Sequence, residues 1–393
     1  MNRVCSIFAQ LLQLFPRVKF QQSVAQHRAE RHARGFTCWG QFVAMLFCQL
    51  GQTKSLREIC NGLRAIEGKL KHLGIDHTPN KSTLSYANEH RPWELYQTVF
   101  QQLFAVCMET AQGKKKFRFK NRLLSLDSTS IDLCASLFDW AKFKSTKGAA
   151  KVHLLLDHDG YLPCFAVITD GKSHDITVAR RLKFQPGTIL AIDKGYVDYD
   201  WWERLTAQGV YFVTRLKKDM RWEPLESRPV PQNSNILKDQ IIQLCPSQQR
   251  SYPMKLRLVT VWDEEKQEEF LFLTNHLGLG ATTIARIYKE RWQIEIFFKA
   301  LKQLLHVKTF VGTSANALKT QIWTALIAIL ILKYLKLRSC FGWSLSNLVA
   351  LLRQQLFVYR DLYQWLDDPY QAPPVLEGIH DGQLLLALAP AGI

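Results

Sequence analysis

The chain has 393 residues, with 51 Lys plus Arg against 34 Asp plus Glu and a formal net charge of +17. Apolar residues make up 47% and charged residues 22%, which excludes a disordered or fibrous chain, and the length predicts two or three domains. The positive excess points to a polyanionic partner, nucleic acid before an anionic membrane, and argues against a plain small-metabolite enzyme.

Residues 1 to about 112 read as helical. The first apolar stretch is broken by Gln10, Gln13 and Pro16 and lacks a small-residue cleavage site, so it does not read as a signal peptide. Ser55-Leu56-Arg57-Glu58 fits a capping box, with apolar Ile59 and Leu63 following. Gly74 to Pro79 is a break, a helix opens near Ser82, and a longer one runs from Trp93 to about Ala111. The region is either a helical bundle with a solvated basic face or a DNA-binding domain, with Lys81 to Asn88 as a candidate recognition segment.

From residue 113 the apolar period changes. A strand ends at Leu123-Leu124-Ser125-Leu126-Asp127. Lys151 to Leu156 and Leu162 to Thr169 flank Asp157-His158-Asp159-Gly160, a hairpin signal. Asp175 to Leu182 reads as a helix capped by Asp175, Thr188 to Asp193 as a strand, Tyr199 to Gln208 as a helix and Val210 to Leu216 as a strand. Three antiparallel strands followed by two helix-crossover strands is the order of a ribonuclease-H-like mixed sheet. In that topology the first and fourth strands are neighbours, so Asp127 and Asp193, each ending its strand, should meet at one sheet edge.

Residues 217 to about 280 form a strand-rich insertion. Arg228 to Ser234 is a loop, and Lys255 to Trp262 and Glu269 to Thr274 form a hairpin around Asp263 to Glu268. A helix is predicted from about Thr283 to Leu305. The chain then stays helical to Leu366, with breaks near Ser339 to Trp343, and 368 to 393 reads as a loose tail. The longest apolar run, Ile322 to Leu332, is too short to span a bilayer and reads as a buried helix, so no membrane partner is expected. The expected organisation is therefore a helical, DNA-binding segment 1–112, a catalytic α/β domain 113–335 carrying the insertion, and a helical region with its tail at 336–393.

The helix of Tyr288, Arg291, Glu295 and Lys302 carries the chemistry. At about 100° per residue, Arg291, Glu295 and Lys302 lie about 300°, 340° and 320° from Tyr288, so the four share an arc of roughly 60°. Trp292 and Lys299 flank that arc, while Ile294, Phe297, Leu301 and Leu304 occupy the other side and would pack on a sheet. The bland reading is a solvated face with Arg–Glu pairs; beside Asp127 and Asp193 a site is the better reading. Three carboxylates at one edge suit two Mg²⁺ ions, with Mn²⁺ as a substitute, and two such ions can drive an in-line displacement at phosphorus. Arg291 and Lys302 would grip phosphates, and Tyr288 would bond a phosphate or stack on a sugar or base.

Other candidates are weaker. Lys142, Lys144, Lys147 and Lys151, around Trp140 and Phe143, form either a solvated loop or a phosphate-tracking one. Asp132, Asp157, Asp159, Asp170, Asp175, Asp198 and Asp200 sit mostly at turns or caps, where Asp is favoured for backbone reasons. His153 and His174 read as structural. The nine cysteines include no CxxC pair and read as reduced thiols of a cytosolic protein, and no phosphate-cradling glycine loop is present.

The spacing Tyr288-x2-Arg291-x3-Glu295-x6-Lys302 resembles the Y-R-E-K signature of the cut-and-paste bacterial transposases of insertion sequence family four. Leu126-Asp127-Ser128-Thr129 resembles that family's first catalytic Asp motif. Ile192-Asp193-Lys194-Gly195-Tyr196 resembles its second, in which a basic residue and a Gly-aromatic pair follow the Asp. The resemblance spans about residues 115 to 335. It implies a DDE transposase that binds terminal inverted repeats as a homodimer and joins the freed ends to target DNA, with Asp127, Asp193 and Glu295 as metal-binding catalytic residues. Tyr288, Arg291, Lys302, Trp292, Lys299, Lys194, Lys144 and Lys147 would contact DNA. In that family an aromatic of the insertion, a Trp before an apolar run ending in Thr, holds a flipped base. Here Phe270 stands before Leu271-Phe272-Leu273-Thr274, with Trp262 as second candidate. The rival readings are an endonuclease on the same core and a DNA-binding protein without catalysis.

Overall fold

The computed structural model describes residues 5–371 except 32, 34, 67, 114–115, 135–137, 139–141, 145–146, 246–253 and 306–309. Six helices precede the sheet: α1 (Ile7–Leu12), α2 (Arg17–Gln26), α3 (Cys38–Leu50), α4 (Leu56–Ala65), α5 (Lys81–His90) and α6 (Glu94–Ala111). The expected capping box opens α4. Ser55 Oγ accepts the Glu58 N–H, while the Glu58 carboxylate takes the N–H of Lys54, one residue earlier than the usual reciprocal partner. Helix α3 has no polar face, and all 13 of its residues are buried, which makes it an internal helix of the fold.

The sheet has ten strands: β1 (Leu123–Cys134), β2 (Lys142–Lys144), β3 (Lys147–Asp157), β4 (Leu162–Asp170), β5 (Ile189–Ile192), β6 (Tyr211–Arg215), β7 (Trp222–Ser227), β8 (Ile236–Leu244), β9 (Leu256–Asp263) and β10 (Glu268–Thr274). β3 pairs antiparallel with β1 on one side and with β4 and the short β2 on the other. β5 lies parallel to β1, and β6 parallel to β5. Beyond β6 the strands β10, β9, β8 and β7 continue the same sheet antiparallel. The predicted insertion hairpin is β9–β10. β7 and β8 were not anticipated; β7 is an exposed edge strand with Pro224 at a register shift, so it lacks alternation.

Three local expectations are corrected. Asp127 does not end its strand: β1 runs seven residues further because β3 pairs along its whole length, whereas β5 pairs only as far as Leu126. Asp175 does not cap its helix. It is the first residue of α7 (Asp175–Ala179), and its carboxylate turns to the sheet, 2.7 Å from Ser128 Oγ and 3.2 Å from Lys151 Nζ. The long helix from about 283 to 305 is two helices, α9 (Ala281–Glu290) and α10 (Trp292–Leu305), meeting at Arg291.

The remaining helices are α8 (Tyr199–Ala207), α11 (Ala315–Arg338), α12 (Leu345–Gln355) and α13 (Leu362–Asp367). Side chains alternate between the faces of β1. Leu124 and Leu126 pack with Trp201, Trp202 and Leu205 of α8. On the opposite face Ile131, with Val152 and Leu154 of β3, joins α6, α10 and α11, and Leu123 with Ile189 and Val213 receives Ile284 and Ile287 of α9. The apolar run Ile322–Leu332 is buried inside α11 as expected. The helix around it has 24 residues, however, and is long and apolar enough to cross a membrane by length and composition; 83% of its apolar window is buried in the fold. Among the described residues the cysteines are unpaired.

Candidate active site

Leu126 and Ile192 are the last residues paired between β1 and β5, so Asp127 and Asp193 follow them side by side on adjacent strands, which run about 4.8 Å apart. Asp193 leaves the strand at once. Its Oδ2 accepts the Gly195 N–H at 3.2 Å and caps the 3-10 turn Lys194–Tyr196. Asp127 Oδ1 accepts the Ser128 N–H at 2.8 Å, and its other oxygen faces α10. There Ile294, Phe297 and Leu301 are buried against the sheet face, which turns Glu295 toward Asp127.

Arg291 joins the two acids. Nη1 donates to Asp127 Oδ2 at 3.2 Å and Nη2 to Glu295 Oε1 at 2.6 Å. The guanidinium lies 5.6 Å from the Tyr288 ring centroid, and its Nε is buried with no hydrogen-bond partner among the described residues. Arg291 thus brings Asp127 and Glu295 together, whereas Asp193 makes no contact with this guanidinium. Among the described residues no three His, Cys, Asp or Glu side chains form a group that could hold a metal ion. The donors themselves are carboxylate oxygens, the kind a hard divalent cation takes.

Burial pushes the Asp127 carboxyl up to about 6; the Ser128 N–H and Arg291 oppose this, and the charges of Asp193 and Glu295 add to it. Both other acids thus act electrostatically on Asp127. Beside them opens a cleft of about 590 Å³ lined by Asp127, Ser128, Thr129, Glu295, Phe298, Lys299, Lys302 and Gln303. Lys299 and Lys302 stand exposed on its rim, and Lys194, next to Asp193 in the chain, is exposed as well.

A second network lies on the other face of β1 and was missed in the sequence. Ser128 Oγ donates to Asp175, which also pairs with Lys151 and lies 3.5 Å from His153 Nδ1. Burial depresses His153 to about 4, and its Nε2 meets Thr169 Oγ1 at 2.9 Å, so it is structural, as expected. Alternation along β1 was the available signal, since it sends Ser128 away from Asp127 toward α7.

The other sequence candidates are spread out. Trp292 is 57% exposed on α10. Tyr288 is half-buried, its ring 4.7 Å from Phe272. Phe270 is buried, with the Arg215 guanidinium 4.2 Å and the Lys266 ammonium 5.2 Å from its centroid; Trp262 is half-buried beside Glu269 across the β9–β10 pair. Lys144 lies in β2 and Lys147 opens β3, but their side chains, like Trp140, fall outside the described residues. Asp157 is buried and paired with Arg122 at 2.7 Å; Asp198 caps α8 and pairs with Arg180. Asp132 is exposed.

A model of the transposase DDE domain matches residues 118–331, more than half of the chain. The chain belongs to the DDE transposase family. A second model, a domain of unknown function, matches residues 4–76. A Sinorhizobium fredii chain named as transposase y4zB is 28% identical over 72% of this chain and 80% of its own. A Geobacillus stearothermophilus chain named as a transposase for insertion sequence element IS5377 is 28% identical over 65% and 67%. A Synechocystis chain named for element IS4SA is 26% identical over 74% and 81%. Among solved structures, the piggyBac transposase in a synaptic complex with hairpin DNA has a TM-score of 0.42 at 10% identity, covering 93% and 82% of the two chains.

Proposed function

We propose that this protein is a DNA transposase of a bacterial insertion sequence, with Asp127, Asp193 and Glu295 as its catalytic carboxylates. The observation that carries the assignment is the placement of those acids. Asp127 lies within β1 and Asp193 directly follows the neighbouring parallel strand β5, and Glu295 is tied to Asp127 through one guanidinium, beside a cleft rimmed by Lys299 and Lys302. The strand order β4–β3–β1–β5–β6, with the first three antiparallel and the last two parallel, supports a ribonuclease-H-like core, extended at the β6 side by the insertion.

The family works with divalent metal ions; we assign Mg²⁺, two ions, to the carboxylates of Asp127, Asp193 and Glu295. When bound, such ions activate a hydroxyl nucleophile and stabilise the leaving 3′ oxygen. The chain's own residues do the positioning. Lys299, Lys302 and Lys194 hold the phosphate backbone along the cleft, Arg291 offers a planar fork to a phosphate, and exposed Trp292 offers a stacking surface. The partners are the element's terminal inverted repeats and target DNA, bound by a homodimer. The helical segment 1–112 supplies end recognition, with the outer face of α5, where Tyr86 is 65% exposed and stacks on His90 at 4.0 Å, as one candidate surface.

The test uses the full chain, a labelled duplex of the element's end with flanking DNA, and Mg²⁺. Wild type should nick at the end boundary and join the end to a target, and Asp193→Ala should lose both by more than about 10³-fold while still binding the duplex. Cleavage persisting in Asp193→Ala would overturn the site assignment, and nicks without joined product would favour the endonuclease reading.

A further inference from the structure

We propose that Arg291 is an internal counter-ion that holds the cation position between Asp127 and Glu295 until DNA draws it away, so that metal loading is weak on the free protein and strong on DNA. This rests on the reading of Asp127 and Glu295 as metal ligands. The two carboxylates come from different elements, β1 and α10. Among the described residues Arg291 is the one cation paired with either, and it pairs with both at once, through separate nitrogens. The Asp127 side chain is 20% exposed and that of Arg291 11%, so this contact is poorly screened by solvent.

A divalent ion must take the lone pairs that these N–H groups occupy, because it binds carboxylate oxygen directly. Metal and guanidinium therefore compete for one pair of oxygens. Arginine does not deprotonate in proteins, so it yields by moving and needs another anion to move to. Its buried Nε has no partner among the described residues, and its fork matches phosphate as well as carboxylate. Lys299 and Lys302, on the same helix and lining the same cleft, would bring a phosphate backbone to it. Phosphate then takes the guanidinium, and the carboxylates are released to the metal. By linkage, metal must tighten DNA binding by the same factor.

The test is a Mn²⁺ titration of the full-length protein, reading free Mn²⁺ by electron paramagnetic resonance, with and without a mixed-sequence duplex. For wild type the duplex should tighten Mn²⁺ about tenfold, inside the usual range of such couplings. Arg291→Gln without DNA should already bind about tenfold tighter than wild type, and the duplex should add little. Lys302→Gln, which removes a positive charge of the same cleft that pairs with neither carboxylate, should raise Mn²⁺ affinity without DNA by much less than Arg291→Gln. An Arg291→Gln variant that binds Mn²⁺ no tighter than wild type overturns the proposal, as does an equal gain in Lys302→Gln. If Arg291→Gln does not fold, Arg291→Lys decides. A single ammonium cannot serve both acids, so a smaller gain supports the proposal and no gain overturns it. Asp127→Asn and Glu295→Gln separate the two levels: if both keep wild-type Mn²⁺ affinity, the ligand reading fails, whereas if both lose it and the Arg291 variants gain nothing, only the counter-ion role fails.

Discussion

Asp127 shows how a residue suited to chemistry costs the fold. Its carboxyl lies on a sheet face covered by α10, and burial lifts it from the ordinary 3.8 to about 6. Between about pH 4 and pH 6 the folded protein keeps a proton that the unfolded chain has released, so this group lowers stability as pH rises through that window, and the full cost is present above it. A shift of that size is worth at most roughly 3 kcal/mol. Asp127→Asn, which cannot ionise, should therefore be more stable than wild type at pH 7 by about 1–3 kcal/mol, with the advantage gone near pH 4. Urea denaturation in EDTA at several pH values checks this; a gain that does not change with pH would refute it. Arg291 limits the gain, because the variant leaves the guanidinium with Glu295 alone.

At the scale of elements, what was legible followed periodicity. The β3–β4 hairpin, the β9–β10 hairpin, the crossover strands and the capping box at Ser55 all announced themselves through alternation, turn residues or a cap. The break at Arg291 did not. A helical wheel treats residues 283–305 as one rod, and nothing around Arg291 resembles a proline or glycine stop. That Asp127 and Glu295 lie near each other followed from the predicted elements, but the guanidinium they share did not, since it depends on how α10 meets β1. The insertion holds another pairing invisible in sequence. Arg257 of β9 and Asp239 of β8, each under 5% exposed, form a two-pronged ion pair at 2.6 and 2.8 Å, and Arg257 also donates to the Leu277 and Leu279 carbonyls just before α9. Asp239→Ala strands that charge inside the protein and should cost about 3–5 kcal/mol, whereas Asp239→Ala with Arg257→Met should recover most of the loss. Chemical denaturation of both variants measures it, and equal destabilisation would show that the carbonyl bonds matter more than the pair. Because those carbonyls lead into α9, Asp239→Ala should also weaken cleavage.

At the scale of the whole molecule, α1 closes on the segment that leads into α13. Ile7 and Phe8 donate backbone bonds to Val358 and Leu356, and the Gln10 side chain bonds both Arg360 O and the Leu362 N–H. Trp323 of α11 sits 6.3 Å from Trp93 and 5.2 Å from Phe100 of the N-terminal helices, and one buried cluster runs from Ile7 through β1 and β3 to Leu366. Helices α3, α5 and α6 of the N-terminal region thus pack against a 24-residue apolar helix. A chain starting at residue 113 would uncover α11 and leave an apolar surface of membrane-spanning length in water. Such a fragment should aggregate or bind a hydrophobic dye, without the cooperative melt of the full chain. In the full chain, hydrogen exchange should show α11 and β5 losing protection at the same denaturant concentration. A soluble 113–393 fragment with a sharp melt would show instead that the catalytic sheet carries its own stability and that the N-terminal helices are a detachable DNA-binding module. The shared core argues for the first outcome, because α3 and α6 supply apolar side chains that the sheet and α10 do not replace.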